Sequence, residues 1–131
     1  MAEPLAVEPG STTSWSRVFT LEDVRRFSEV SGDRGVHHVE VDEQGRLMVQ
    51  GLLTATLPTK LGGDLNYLAR EMVFEFLRPV FTGERIDCAC TATKVEKQPG
   101  RTYVEFAISS TNPAGKEVLR ATTKGVILDK R

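Results

Sequence analysis

Apolar residues recur along this chain in two rhythms. Leu21, Val24, Phe27 and Val30 are spaced by three, the stripe of an amphipathic helix, while Arg25, Arg26 and Glu29 fall on the wetter side. Thr20 precedes the stripe with Asp23 three residues on, a capping-box arrangement that satisfies the first unpaired N–H groups. Gly32 is placed to take the left-handed conformation that ends such a helix. WSRVF, residues 15–19, alternates and predicts a strand ahead of it. From Arg70 onward the period is that of β-structure. REMVFEFLRPV, ERIDCACTATKVEK, RTYVEFAISST and KEVLRATTKGVIL are separated by the turn signals FTGE, QPG and NPAG. Ile86, Cys88, Cys90 and Ala92 share one face of the second segment, and Val104, Phe106 and Ile108 share one face of the third. Such alternation predicts antiparallel strands with one buried side.

Between these regions lie two further signals. Gly45 and its polar neighbours in VEVDEQGRLMV predict a turn or short hairpin. VQGLLTATLPTKLGG is apolar or small almost all round, which reads as a buried helix. Pro58 inside it removes a helix hydrogen bond and should kink or split it, and Gly62 and Gly63 are expected to stop it. The order is helix, loop, buried helix, then long antiparallel strands: an α+β layout with one sheet packed on a buried helix. Residues 15–131 read as one domain behind an extended or mobile arm, 1–14. Pairing of a sheet edge into a homodimer or higher homo-oligomer would complete the cover of the helix.

The 131 residues suit one ordinary domain, 40% hydrophobic and 27% charged. A formal net charge of −1 gives no reason to expect a nucleic-acid or membrane-surface partner. The start, MAEPLAVEPGSTTS, has no basic residue, unlike a secretory signal, so a cytoplasmic location is expected. The two cysteines, Cys88 and Cys90, are spaced CxC, a poor geometry for a disulfide within one strand. They read as reduced thiols on one strand face. A zinc site shared with His37 and His38 has suitable ligand types, but neither pair has a usual zinc spacing.

SGDRGVHH, Ser31 to His38, holds an acid and the chain's two histidines. By residue type alone it is an acid/base pair, half of a metal site, or a polar turn closed by Asp33 on its own backbone. Its surroundings add a resemblance. FTLEDVRRFSEVSGD is similar to the start of the MaoC-like dehydratases and (R)-specific enoyl-CoA hydratases. That family tends to continue SGDxNPxH; here Ser31, Gly32, Asp33 and His38 fit, while Gly35 and Val36 replace the Asn and Pro. VQGLLTATL resembles the family's I-x-H-G-M-L, with Gly51 on its glycine and Gln50 where the histidine is usual. FEFLRPVFTGERI is similar to the later strand pair. These motifs cover most of residues 19–95 in order. Departures are the lost Asn and Pro, the eleven residues between His38 and Gln50 where the family is usually longer, and Pro58 in the central helix.

The resemblance implies the hot-dog fold, a curved antiparallel sheet wrapped around a central helix, usually paired as a dimer. It implies hydration or dehydration of enoyl or 3-hydroxyacyl thioesters of coenzyme A or acyl carrier protein, without cofactor or metal. Asp33 and His38 would activate a water, and the Gly51 N–H at the helix start would hold charge on the thioester oxygen. Gln50, Thr56 and Thr59 are substrate-binding candidates; for both threonines a bond back to their own helix is the simpler expectation. His37 falls on a variable family position. Glu40 is placed to orient His38 from an extended segment. Lys60, Arg70 and Arg78 are candidates for coenzyme A phosphates by position. Two other functions fit the same fold: an acyl-CoA thioesterase, whose acid is more often on or near the central helix, and a non-catalytic acyl-thioester-binding partner subunit. The helix Gly51 to Gly63 holds no acid.

Overall fold

The structure, a computed structural model, describes residues 7–129. Its strands are β1 (Thr12–Val18), β2 (Tyr67–Phe76), β3 (Arg85–Gln98), β4 (Arg101–Thr111) and β5 (Glu117–Leu128); its helices are α1 (Leu21–Ser31), α2 (Val36–Val39), α3 (Gly51–Thr54) and α4 (Thr56–Leu65). The strands form one five-stranded sheet in the order β1-β3-β4-β5-β2, antiparallel throughout. The sheet's apolar face, including Ile86, Cys88, Cys90, Ala92, Val104, Phe106 and Ile108, packs with Leu53, Leu57, Leu61 and Leu65 of α3 and α4 in one core. The alternation in β3 and β4 therefore reads as expected, with the even-numbered residues inward over 86–92 and 104–108. Trp15 Nε1 donates to the Leu57 carbonyl at 3.0 Å, which ties β1 to the central helix.

Several expectations need correction. Thr12–Ser14, read as part of the arm, belong to β1 and pair with β3; residues 1–6 of that arm lie outside the described residues. Val30 is 86% exposed, so the buried stripe of α1 ends earlier. Pro58 does split the central helix, but the break falls at Ala55, one turn upstream. The proline cannot donate to the Thr54 carbonyl and its ring crowds that group. Gly62 and Gly63 do not stop the helix. It runs through them to Leu65 and ends at Asn66, which adopts the left-handed conformation with φ 54°. The segment accordingly includes an acid, Asp64, in its last turn, paired with Lys60 at 2.7 Å on the solvent side.

Close approach of strands sets one glycine. A Cβ at Gly125 of β5 would fall on the Leu68 carbonyl of β2, beside the irregularity in register between Ala69 and Glu71. No helix of the described residues is long and apolar enough to cross a membrane.

The α1 cap forms as expected. Thr20 Oγ1 accepts from Asp23 N at 3.1 Å, and Asp23 Oδ2 accepts from Thr20 N at 2.9 Å. The Thr20 N–H bond, helped by Arg17, holds the Asp23 carboxyl below its ordinary value of 3.8 despite partial burial. A folded value below the unfolded one means stability that is fully present above pH 3.8 and lost as pH falls through the folded value. Asp23→Ala should cost about 1 kcal/mol at neutral pH. In urea titrations the difference from wild type should shrink below pH 3.8; a difference that grows with acid would refute the assignment.

Candidate active site

The site is built from the end of α1, the turn α2 and the segment leading into α3. Gly32, at φ 77°, ends α1 and donates its N–H to the Ser28 carbonyl at 3.0 Å. Ser31 Oγ donates to the Phe27 carbonyl at 2.6 Å and accepts from Asp33 N at 3.0 Å. Asp33 Oδ1 accepts from Gly35 N at 3.2 Å, closing an Asx turn. SGDRGVHH is therefore not wholly a loop. Its last residues start α2, a single helical turn that carries both histidines.

His38 is buried and Asp33 is half exposed, and Asp33 Oδ2 stands 3.6 Å from His38 Nε2. That is too long for a direct hydrogen bond, and short enough for one water to contact both at about 2.8 Å. His38 Nδ1 lies 2.7 Å from the Met48 carbonyl. A carbonyl only accepts, so Nδ1 carries the proton and Nε2 of the neutral ring is left bare toward Asp33. Met48 N donates to the His37 carbonyl at 2.9 Å, which fixes the same segment from its backbone. Glu40 has no part in this: it is the residue that ends α2, its N–H bonded to the Val36 carbonyl at 2.9 Å. The Met48 carbonyl orients His38, a backbone group with no signature in the sequence.

The first N–H groups of a helix have no partner within it, and none is found for Gly51 or Leu52 among the described residues. Gly51 shares a cavity of about 350 Å³ with His37, His38, Thr54, Phe76 and Arg78. A Cβ at position 51 would stand 3.0 Å from the Phe76 ring, which would have to give way by a few tenths of an ångström. Asp33 does not line this cavity and reaches it through His38. Arg78 bonds the Glu117 carbonyl through Nη1 at 2.6 Å. Thr54 was missed by the sequence reading, although it lies one turn after Gly51 on the same helix.

The other candidates sit elsewhere. Gln50 is buried and bonds α1, not the cavity. Thr56 Oγ1 donates to the Leu53 carbonyl and Thr59 Oγ1 to the Thr56 carbonyl, each a bond back along the helix. Thr59 does line a second, apolar cavity of about 590 Å³ with Leu61, Tyr67, Met72, Phe106 and Ile108. The two cavities have no lining residue in common. Burial pushes the Tyr67 phenol up, so it is a neutral wall. Lys60 is engaged by Asp64, and Arg70 is exposed on β2. Cys88 and Cys90 are free thiols buried in the core on β3. The Cys90 thiol is pushed up by its bond to Cys88 and by burial. No grouping of three or more metal-ligating side chains occurs among the described residues.

Neither a family model nor a curated protein matches the chain. Solved structures do. The (R)-hydratase from A. caviae involved in PHA biosynthesis superposes with a TM-score of 0.81 at 20% identity, covering 95% of this chain and 98% of that one. The fold is the hot-dog fold. A MaoC-like dehydratase from Rhodospirillum rubrum gives 0.74 at 18% identity, covering 97% of this chain and 95% of its own. The HadBC 3R-hydroxyacyl-ACP dehydratase complex from Mycobacterium tuberculosis gives 0.70 at 16%, covering 95% and 99%. The hot-dog architecture expected of this chain is thus the one it has: a curved antiparallel sheet against α3 and α4.

The Met48 contact fixes the tautomer, and that is measurable. Long-range ¹H–¹⁵N correlation spectra of the neutral protein should show His38 protonated at Nδ1, with Nε2 bare. A neutral ring protonated at Nε2 would overturn this assignment of the tautomer.

Proposed function

We propose that this chain is a MaoC-like hydratase or dehydratase acting reversibly on enoyl and 3-hydroxyacyl thioesters of coenzyme A or acyl carrier protein. The observation that carries the reading is the Asp33–His38 pair, 3.6 Å apart, with His38 in one cavity with Gly51, whose N–H has no partner among the described residues. A water between the two side chains adds its oxygen to the β-carbon. The pair takes one proton from that water and returns one to the α-carbon, so both groups end as they began. As the double-bond electrons move toward the thioester, the Gly51 N–H stabilises the negative oxygen. Nε2 of His38 is suited to the proton transfer because Nδ1 is committed to Met48. The shared fold of the (R)-hydratases and the 3R-hydroxyacyl-ACP dehydratase supports the same chemistry. Two buried, unpaired thiols suit a cytoplasmic setting.

One observation favours a second reading, a non-catalytic partner subunit: Asp33 is half exposed and outside the cavity lining. A thioesterase has less support. Asp64, the one acid of the central helix, lies in its last turn, paired with Lys60 on the solvent side and at the end of the segment away from Gly51. The wild-type protein with crotonyl-CoA should lose enoyl absorbance without releasing thiol. Asp33→Asn and His38→Ala should each lower kcat by about 100-fold or more. Thiol release at constant enoyl signal would sink the hydratase reading in favour of the thioesterase, and inactivity on all acyl thioesters tried would favour the partner subunit.

The second part of the proposal is a homodimer through β2. This strand is a free edge of the sheet and exposes Leu68, Met72, Val73 and Phe76, an arrangement that proteins normally cover. Antiparallel pairing centred on β2 sets the Phe76 end of one strand beside the Tyr67 end of the other. The catalytic cavity of one protomer then adjoins the larger apolar cavity of its partner, which suits an acyl chain. Sedimentation should give twice the mass of the chain, and Val73→Lys should weaken self-association at least about tenfold. A monomer at micromolar concentration would refute the dimer without touching the chemistry.

A further inference from the structure

Gln50 is 1% exposed and immediately precedes Gly51. Its Nε2 donates to the Val24 carbonyl at 3.0 Å and to Ser28 Oγ at 2.9 Å, both on α1. The orientation of the amide is decided by Val24, because a carbonyl needs a donor. Oε1 is left buried without a hydrogen-bond partner. An apolar side chain of similar size would fill the same space, so packing alone does not single out glutamine here.

Its contacts do account for it. Four consecutive residues, Met48 to Gly51, are the reference for every group of the site. The Met48 carbonyl takes the His38 ring, and its N–H takes the His37 carbonyl. Gly51 supplies the free N–H. Gln50 takes α1, whose end carries Asp33 through the Gly32 cap and the Ser31 hydroxyl. Without the Gln50 amide, His38 and Gly51 remain tied to this segment. Asp33 is then held only by the apolar packing of α1 and by its own short turn onto Gly35 N.

We propose that Gln50 is a positioning residue that acts through α1 to set the Asp33 carboxylate against His38 and Gly51. The effect on rate rests on the hydratase reading; the geometric effect does not. The charged and titratable groups around His38 are Asp33, His37 and, across the cavity, Arg78. Gln50→Met removes none of them. It conserves volume and removes both donors together with the unsatisfied acceptor, and the buried Ser28 hydroxyl it releases can bond back to its own helix, so it should fold.

Two measurements test this. Asp33→Asn should move the NMR ring resonances of His38, distinguished from those of His37 by His37→Gln. In the Gln50→Met background that response should fall by about half or more. For hydration, Gln50→Met should lower kcat about tenfold with KM within about twofold. Adding it to Asp33→Asn should cause no further loss, because its effect runs through Asp33. Ser28→Ala, which removes one of the two bonds, should fall between wild type and Gln50→Met, and it decides the matter should Gln50→Met not fold. An undiminished ring response, or a kcat loss that adds fully to that of Asp33→Asn, would overturn the proposal. A wild type without hydration activity would sink the hydratase reading alone and leave the ring resonances to decide.

Discussion

The α3–α4 segment has to bury one face along its length and still begin with N–H groups that nothing covers among the described residues. Leu53, Ala55, Leu57, Leu61 and Leu65 are all buried, and a fully buried leucine contributes roughly 1.5–3 kcal/mol. The sheet has to bend around this segment to cover it. The bend is built from long strands, of which β3 has 14 residues and β5 has 12. At the other end of the segment Gly51 and Leu52 keep their N–H groups free among the described residues. The chain between α1 and α3 gathers there, and the polar chemistry of the molecule gathers with it.

That gathering divides the acid from the base. His38 is buried, with its ring fixed by the Met48 carbonyl, while Asp33 is half exposed on the turn that follows α1. His38 is thus placed by the segment that leads into the helix, and Asp33 by a helix that packs against it. Gly35 and Val36, which stand where the family resembled in sequence usually has Asn and Pro, allow the two groups to approach within 3.6 Å. The Asx turn on Gly35 and the single turn of α2 do this through backbone N–H groups, Gly35 N donating to Asp33 Oδ1 and His38 N to the Gly35 carbonyl. The residues that differ are ones whose side chains this geometry does not use.

Period and turn signals made most of the fold legible. β4 and the inward faces of β3 and β4 follow directly from alternation, and the cap of α1 follows from Thr20, Asp23 and Gly32 because capping is local. Signals failed where a neighbour overrode the local preference. Gly62 and Gly63 are ordinary stop signals, yet α4 continues through them because Leu61 and Leu65 are both buried against the sheet. Val30 continues the helical spacing, yet no element covers it. Thr12–Ser14 read as arm because the partner that makes them a strand, β3, is more than seventy residues away.

By itself the sequence determined the order of the main helices and strands, the buried faces of β3 and β4, the cap of α1, and the residue types available at the site. All of these rest on interactions within a few residues or on a simple period. Only the tertiary structure decided that Met48, through its backbone carbonyl, orients His38, that Glu40 does not, and that Gln50 faces α1. It also decided that Phe76 leans on Gly51 and that the two cavities stay separate. Each of these depends on which distant segments pack together, and the direction of a backbone carbonyl or a buried amide is fixed only after they have done so.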